Sequence, residues 1–341
     1  MTDHAHIRQR DGAAGSDLSR TISDHHSRLL RLRDNVAGVL LGKPEAVQLA
    51  LVTLLAEGHL LIEDGPGIGK TLLATALARS LGCTFHRIQF TPDLLPGDLL
   101  GTSVYNQSSS SFVFQPGPIY TQVVLADEIN RATPRTQSAL LEALADRQVS
   151  MDGKTHVLGP PFIVLATQNP YEFEGTYPLP ESQLDRFLMR LSLGYPDRAA
   201  ERLILSGHRE GEPVDRLQPA LSREEVVALQ QASRLVRVED SLGEYLLDIV
   251  AATRRHDDVQ LGASTRAALA LYRAIQALAL TEGRAYAIPD DVKRLARHVL
   301  AHRLLVRRGR AAQGSAVGPA QYAGAAGHIV DEIVRQTPVP E

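Results

Sequence analysis

The chain has 341 residues, 44% of them hydrophobic, which is enough to bury a large core and to form two domains. Its 36 basic and 39 acidic side chains give a formal net charge of −3, without the basic excess of proteins that grip nucleic-acid backbone, so nucleic acid is a disfavoured partner. The single cysteine, Cys83, excludes an internal disulfide, and no segment approaches the ~20 consecutive apolar residues of a membrane span, so we expect a cytoplasmic protein.

The first part of the chain predicts a tail followed by an α/β unit. Residues 1–26 are mostly polar and lack the apolar centre of a signal peptide, so we expect a disordered tail. A helical pattern covers Leu29–Gly58, and the apolar run His59–Ile62 then leads into a glycine-rich turn. The residues Lys70–Leu81 are strong helix formers, and Gly82 is a typical C-terminal cap. A strand, a glycine turn and a helix in this order begin an α/β unit.

Three further apolar runs have the length and composition of buried strands: Thr84–Phe90, Gln122–Ala126 and Phe162–Thr167. Because helical stretches separate them, they indicate a parallel sheet that is covered on both faces. Two segments, 102–118 and 148–158, instead carry turn residues between β-rich runs. We expect these two segments to be β-hairpins that project from the sheet.

The strand pattern stops after Tyr195-Pro196, and the rest of the chain has helical patterns. Ser222 and Glu225 have the spacing of a capping box at a helix start. We therefore expect an α/β core over residues 27–194 and an all-helical domain over residues 195–341.

The glycine-rich turn has the pattern of a phosphate-binding loop. It reads Asp64-Gly-Pro-Gly-Ile-Gly-Lys-Thr71, although the strict pattern has glycine at position 64. A nucleoside triphosphate carries about four negative charges, and glycines let consecutive backbone N–H groups converge on them beside the positive end of a helix dipole. We expect Lys70 to supply a mobile charge to the β- and γ-phosphates and the Thr71 hydroxyl to be a ligand for Mg²⁺. The expected nucleotide-binding residues of this segment are Gly65, Pro66, Gly67, Ile68, Gly69, Lys70, Thr71 and Leu72.

Two adjacent carboxylates end a later apolar strand, Val123-Val-Leu-Ala-Asp-Glu128. In P-loop ATPases, a strand beside the phosphate-binding strand offers one carboxylate to Mg²⁺ and another to the attacking water. Asp127 is the candidate metal ligand, and Glu128 is the candidate for polarising the water. Asn169 ends the next strand, where its amide could hold the water or the γ-phosphate; a surface turn at Asn169-Pro170 is the alternative.

These motifs resemble the AAA+ superfamily and, within it, the MoxR ATPases. Three stretches are similar to signatures of that family: Leu125–Leu144, Ala166–Phe187 and Gly262-Ala-Ser-Thr-Arg266. The resemblance extends from about Val36 to Val306. It implies a P-loop core with a parallel five-stranded sheet and β-hairpin insertions, followed by an all-α lid domain.

The resemblance also implies roles for two arginines. Arg186 matches the arginine finger that reaches the ATP of a neighbouring subunit, so hydrolysis would depend on assembly; a helix-end salt bridge is the alternative. Arg266 matches the sensor-2 arginine of the lid, although the family pattern usually has proline where this chain has Thr265. Because this clade repositions its lid, Arg266 could act on its own nucleotide or on a neighbour's. Gly42 and Lys43 lie where the adenine pocket begins.

The implied function is Mg²⁺-dependent ATP hydrolysis by a ring, which we expect to be a hexamer, with hairpins that face the pore or the client. The ring would remodel or mature partner proteins in a chaperone-like way, often with a von Willebrand factor A-type (VWA) partner. One alternative is a DNA-associated motor or loader, since related hairpin-bearing AAA+ rings translocate DNA. The basic run that starts at Arg303 could contact nucleic acid, but cations clustered at a helix C-terminus are the plainer interpretation. A metal-chelatase motor subunit shares the same core, and a non-hydrolysing nucleotide-gated scaffold is disfavoured by Glu128 and Arg186.

Overall fold

The computed structural model describes residues 22–170, 175–207, 211–307 and 319–340. The helices of this part are α1 (residues 22–37), α2 (Pro44–Leu55), α3 (Lys70–Ser80), α4 (Pro96–Leu100), α5 (Pro134–Asp146), α6 (Glu181–Leu184), α7 (Arg198–Gly207), α8 (Arg223–Arg234), α9 (Asp240–Arg255), α10 (Thr265–Thr281), α11 (Pro289–Leu300) and α12 (Pro319–Gln336). The strands are β1 (Leu60–Glu63), β2 (Phe85–Gln89), β3 (Gly101–Asn106), β4 (Ser111–Pro116), β5 (Val123–Asp127), β6 (Gln148–Met151), β7 (Lys154–Val157), β8 (Ile163–Gln168), β9 (Met189–Leu191), β10 (Val259–Leu261) and β11 (Leu305–Val306).

Five strands form one parallel sheet in the order β2-β5-β8-β1-β9, which confirms the expected five-stranded sheet. β5 and β8 are buried along almost their whole length, which explains why they are continuous apolar runs in the sequence. Side chains alternate between two cores, one on each face of the sheet. Leu60 and Ile62 of β1 join the core that includes α2 and α3, whereas Leu61 joins the core that includes α5.

Both predicted hairpins are present, as the antiparallel pairs β3–β4 and β6–β7. Asp152 and Gly153 join β6 to β7 with φ angles of +51° and +74°, which suits the left-handed backbone of a tight hairpin turn. The hairpins also contact each other. The Ser103 hydroxyl donates to the Asp152 carboxylate, and the Phe114 ring stacks on His156 with the ring centres 4.1 Å apart. The two hairpins therefore form one projecting unit.

The N-terminal tail differs from the expectation, because α1 already includes residues 22–26. Ile22 packs against the core that includes α2 and α3, and the ring of His26 lies against Gly283 of the second domain. These contacts give the first turn of α1 buried surface that a polar tail lacks. The rest of the expected tail, residues 1–21, lies outside the described residues.

The second domain is helical, as predicted, apart from one short strand pair. The expected capping box is present, since the Glu225 N–H donates to the Ser222 hydroxyl at 3.2 Å and the Ser222 N–H donates to the Glu225 carboxylate at 2.8 Å. Helix α11 ends at Leu300, and a little further on the chain pairs with another segment. β11 is antiparallel to β10, and this pairing supplies hydrogen bonds for backbone that leaves the helix.

The second domain is anchored to the segment that leads into β9. Arg303, only 5% exposed, donates to the Phe187 carbonyl at 2.7 Å and forms an ion pair of 2.8 Å with Asp185. The His302 ring contacts the same carbonyl, with its Nε2 atom at 3.1 Å, and burial lowers the pKa of His302 well below its usual value. Among the described helices, none combines the length and the apolar character that crossing a membrane requires.

Candidate active site

The glycine-rich loop lies at the edge of the sheet where the parallel strands end. It follows β1 and leads into α3, whose first residue is Lys70. Gly67 and Gly69 have φ angles of +78° and +98°, which L-amino acids with side chains rarely adopt. A side chain at Gly65 or Gly67 would begin in open space, whereas Ile68 is buried and fixes the loop to the core. The loop therefore directs its backbone toward solvent, at the positive end of the α3 dipole.

The loop's departure from the strict pattern has a structural explanation. Asp64 is 8% exposed, and its carboxylate accepts hydrogen bonds from the Ser192 hydroxyl at 2.7 Å, from the Leu193 N–H, and from the Gly194 N–H at 3.4 Å. The Asp64 carbonyl accepts a hydrogen bond of 2.9 Å from Lys70 Nζ. The residue in place of glycine thus ties the loop to the segment that leaves β9 toward the second domain.

The two acids of the candidate site lie at the same edge, at the end of β5. The sheet order places β8 between β1 and β5, so the expectation that the acids follow a strand directly beside β1 is wrong. The Asp127 carboxylate accepts from the Thr167 hydroxyl at 2.6 Å and forms an ion pair of 2.6 Å with Arg87. Thr167 lies on β8, one strand closer to the loop, and Asn169 follows it at the buried end of that strand.

Glu128 has an unusual backbone for its residue type, with φ at +57° and ψ at +50°. Its N–H donates to the Thr167 hydroxyl at 2.9 Å, and this bond holds the turn. Its carboxylate accepts from the Gln89 amide at 2.9 Å and forms an ion pair of 3.1 Å with Arg131. Strained backbone of this kind is common at functional sites because the surrounding structure must enforce it.

Sequence reasoning did not identify the polar partners of the two acids: Arg87, Gln89, Arg131 and Thr167. The signal for two of them is the spacing on β2, where Arg87 and Gln89 are two residues apart and therefore point to the same side of the sheet. That these side chains reach the two acids follows only from the pairing of β2 with β5, in which Gln89 is opposite Asp127.

The residues present fit a magnesium nucleotide. Mg²⁺ prefers oxygen ligands and usually takes only one or two from the protein, with phosphate and water oxygens completing its shell. The Thr71 hydroxyl at the exposed start of α3 and the Asp127 carboxylate at the end of β5 are oxygen donors of this kind. Within the described part of the chain, no group of three or more acids, histidines or cysteines forms a metal cage.

The other expected nucleotide-binding residues lie beside the same loop or support it. Leu72 packs against the core, so its side chain is structural. Gly42 has a φ of +74°, and a side chain there would begin 2.7 Å from Ala200 of α7. Lys43 Nζ donates to the Tyr195 carbonyl at 2.6 Å, which holds the connection between the two domains.

Arg186 and Arg266 lie at the opposite edge of the sheet. Arg186 precedes β9, whose first residue, Met189, pairs with Leu60 at the start of β1, whereas the glycine-rich loop follows the end of β1. Along the strand direction, Arg186 and the loop are therefore separated by the length of β1, which is roughly 13 Å at 3.3 Å per residue. Arg186 and Arg266 line one cavity of about 230 Å³. The structure brings these two arginines together, but it does not bring them to the loop of the same chain.

This cavity is rich in cations. Five arginines line it: Arg147, Arg186, Arg266, Arg273 and Arg303. Arg147 forms an ion pair of 2.5 Å with Glu57, and Arg234 of α8 pairs with the same carboxylate. Burial alone would raise the pKa of Glu57, but the two arginines outweigh this effect, so the pKa of Glu57 is lowered. Arg303 is paired with Asp185 as described above.

His59 lines the same cavity and is neutral. Burial, assisted by the nearby Arg147, lowers its pKa to about 3. Its Nδ1 atom accepts from the Val164 N–H at 3.1 Å, and its Nε2 atom lies 3.2 Å from the Leu144 carbonyl, so the proton is on Nε2. The Arg186 guanidinium donates to the Leu141 carbonyl.

Comparisons with known proteins define first the class and then the family. A family model described as "ATPase family associated with various cellular activities (AAA)" matches residues 59–189, and an "AAA lid domain" model matches residues 251–320. The fold, the glycine-rich loop and these matches are those of an AAA+ ATPase.

The relatives narrow this class. The chain is 50% identical to the uncharacterized protein YeaC of Bacillus subtilis, over 83% of this chain and 88% of that protein. It is 43% identical to Chaperone MoxR1 of Mycobacterium tuberculosis, over 80% of this chain and 74% of that protein. A crystal structure of a proposed ATPase from Cytophaga hutchinsonii matches with a TM-score of 0.85 at 35% identity and covers 97% of this chain and 99% of that one. The chain belongs to the MoxR family of AAA+ ATPases.

Proposed function

We propose that this protein hydrolyses ATP with Mg²⁺ in a ring of identical subunits, each active site being completed by a neighbour. The observation that carries the proposal is the separation described above: the loop and the acids Asp127 and Glu128 lie at one edge of the sheet, and Arg186 and Arg266 lie at the other. One chain therefore does not bring both sets to the same phosphate. Head-to-tail contacts form a ring when the rotation between successive copies closes, and in such a ring the arginine edge of one copy would lie against the loop of the next.

The proposed roles follow from the chemistry of each group. Thr71 and Asp127 would hold Mg²⁺, which would supply positive charge to the phosphates of the nucleotide. Glu128 orients the attacking water, which requires its carboxylate to leave Gln89 and Arg131. Asn169 holds the water or the γ-phosphate with its amide.

The neighbour's arginines act on charge that develops as the γ-phosphoryl group transfers. A guanidinium placed at this charge stabilises the transition state more than the ground state, and loss of one such donor typically costs about 10²–10³ in turnover. We place both Arg186 and Arg266 in this role, so Arg266 acts on the nucleotide of the adjacent subunit. Their shared cavity supports this assignment.

We propose that the nucleotide state reaches the second domain through Asp64. A bound triphosphate draws Lys70 from the Asp64 carbonyl, and the Asp64 carboxylate is bonded to residues 192–194 at the start of the interdomain connection. ATP and ADP then favour different positions of the second domain through their different contacts with the loop.

The work done by the ring is, in this proposal, chaperone-like remodelling of partner proteins. The β3–β4 hairpin exposes apolar side chains, including Tyr105 and Phe112, whose ring centres are 5.4 Å apart in an edge-to-face pair. Exposed apolar clusters typically mark protein-binding surfaces, and the relative MoxR1 is named a chaperone. We expect a hexamer in the cytoplasm with a VWA-domain partner. The buried, acid-paired Arg303 weakens the case for a DNA motor.

The test combines two inactive variants. Lys70→Ala lacks the loop's cation but keeps Arg186, whereas Arg186→Ala keeps the loop but lacks the arginine. Each alone should have little ATPase activity, and their mixture should recover activity at interfaces where an intact loop meets an intact Arg186. In addition, turnover per subunit of the unaltered protein should rise with protein concentration as rings form.

Two results would overturn the proposal. Turnover per subunit that stays constant on dilution to monomers would show that each chain carries a complete site. A mixture that remains as inactive as its two components, although both variants still assemble, would show that Arg186 does not act across an interface.

A further inference from the structure

The cavity that contains Arg186 and Arg266 has another cation that no role yet accounts for. Arg273 lies on α10, seven residues after Arg266, and its side chain lines the same cavity together with Leu269 and Ala270. Spacings of three, four and seven residues place all of these on one face of the helix. Arg266 and Arg273 are therefore separated by about 10 Å along the helix axis, at 1.5 Å per residue.

The acids of the cavity are already committed to other arginines. Glu57 pairs with Arg147 at 2.5 Å and also with Arg234, and Asp185 pairs with Arg303 at 2.8 Å. Arg303 is buried against its acid, so this pair is part of the framework.

The remaining cations have no such compensation. Among the described residues, neither Arg266 nor Arg273 has an ion pair, and Arg186 is bonded to a neutral carbonyl. Three guanidinium groups without an acid partner among the described residues therefore line one open cavity, and such a group of cations favours the binding of a multivalent anion. Guanidinium groups suit phosphate oxygens because they offer paired, parallel N–H donors.

We propose that Arg273 is a third phosphate-binding arginine of the intersubunit active site and contacts the triphosphate of the neighbouring subunit's ATP. This inference rests on the function proposed above. α10 then presents Arg266 and Arg273 as two cations of one helix face, while Arg186 approaches from the segment before β9. The triphosphate meets arginines from both domains of its neighbour, so its binding fixes the position of the second domain against the core.

The first experiment compares Arg273→Ala with a matched control, Arg255→Ala. Arg255 is an exposed arginine at the end of α9 that does not line the cavity. Turnover and the affinity for a fluorescent ATP analogue with Mg²⁺ are measured on assembled protein. We expect Arg273→Ala to lower turnover about 10- to 100-fold, as for loss of a transition-state donor. The affinity of the assembled variant for the ATP analogue should change less than about threefold, because Arg273 is only one of many groups that contact the nucleotide. The control should behave as the unaltered protein.

The second experiment asks whether Arg273 acts across the interface. Arg273→Ala subunits are mixed with Lys70→Ala subunits, which keep Arg273 but lack the loop's cation. In random rings from an equal mixture, about a quarter of the interfaces join an intact loop to an intact Arg273, since each interface uses a different patch of its two subunits. We expect activity near this fraction of the unaltered protein's. A purely structural defect of the variant would not be repaired by mixing.

The outcomes separate this inference from the function on which it rests. Full activity of Arg273→Ala would overturn the role of Arg273 alone. The same conclusion would follow if Lys70→Ala rescued Arg186→Ala but not Arg273→Ala. Failure of the Arg186 mixture itself would instead remove the shared site, and the proposal for Arg273 with it.

Discussion

Replacing Asp64 tests the connection between the phosphate-binding loop and the segment that leaves β9. In Asp64→Ala, the buried N–H of Leu193 and the hydroxyl of Ser192 lose a charged acceptor. Hydrogen bonds to charged groups contribute about 1.5–3 kcal/mol each, and a buried donor left without a partner costs about 1–3 kcal/mol. Because water can hydrogen-bond to the exposed Ser192 hydroxyl and so offset part of the lost stabilisation, we expect the free energy of unfolding to fall by about 3 kcal/mol. Asp64→Asn keeps one acceptor oxygen and should cost about half as much.

The assay is urea denaturation of the nucleotide-free protein, followed by far-UV circular dichroism. Asp34→Ala is the control, because the ion pair of Asp34 with Arg33 is exposed and should contribute less than about 1 kcal/mol. A double-mutant cycle with Ser192→Ala isolates the hydrogen bond at 2.7 Å, and we expect a coupling energy of about 1 kcal/mol. The reasoning is refuted if Asp64→Ala is as stable as the control, or if the two substitutions are additive.

Two further predictions concern the acid Glu128 and the buried His59. Glu128→Gln should still bind Mg-ATP but lose at least about 99% of its turnover, because an amide cannot polarise the water; unchanged turnover would remove Glu128 from this role. The folded-state pKa of His59 is about 3, below its unfolded value of ~6.5, so the stability it contributes is fully present above pH 6.5 and is lost as the pH falls toward 3. Between pH 7 and pH 4.5 this amounts to about 2–3 kcal/mol, which denaturation of the unaltered protein and of His59→Gln should reveal as a difference in acid sensitivity; equal sensitivity would contradict the shift.

The fold could largely be predicted where local pattern and tertiary environment agree. β5 and β8 are buried on both faces, so their continuous apolar runs were sufficient to predict them. β9 has only three residues, which is too short for a periodic signal, and only family resemblance implied a fifth strand. The strand pair β10–β11 was missed because its two segments pair across a long stretch of chain, so neither carries a turn or an alternation that indicates it.

The candidate site shows the same division between local and long-range information. The loop and the paired acids are contiguous motifs, so their chemistry is visible in the sequence. The partners of the acids come from β2 and β8, and their relevance follows from the order of strands rather than from spacing. In the sequence, Asp64 only departs from the strict pattern; its role follows from the fold, in which residues after β9 donate hydrogen bonds to its carboxylate.

The sequence by itself determined which groups this protein has for holding a triphosphate, because a phosphate-binding loop is built from neighbouring backbone amides and needs only local glycines and one helix start. The tertiary structure alone decided whether each remaining group lies at the edge where the parallel strands end or at the edge where they begin. Parallel strands send everything that follows them to one edge and everything that precedes them to the other, so the position of Arg186 before β9 places it away from its own loop. The packing of α10 then brings Arg266 and Arg273 to the same edge. These long-range placements depend on how the core closes, and no short segment of sequence encodes them.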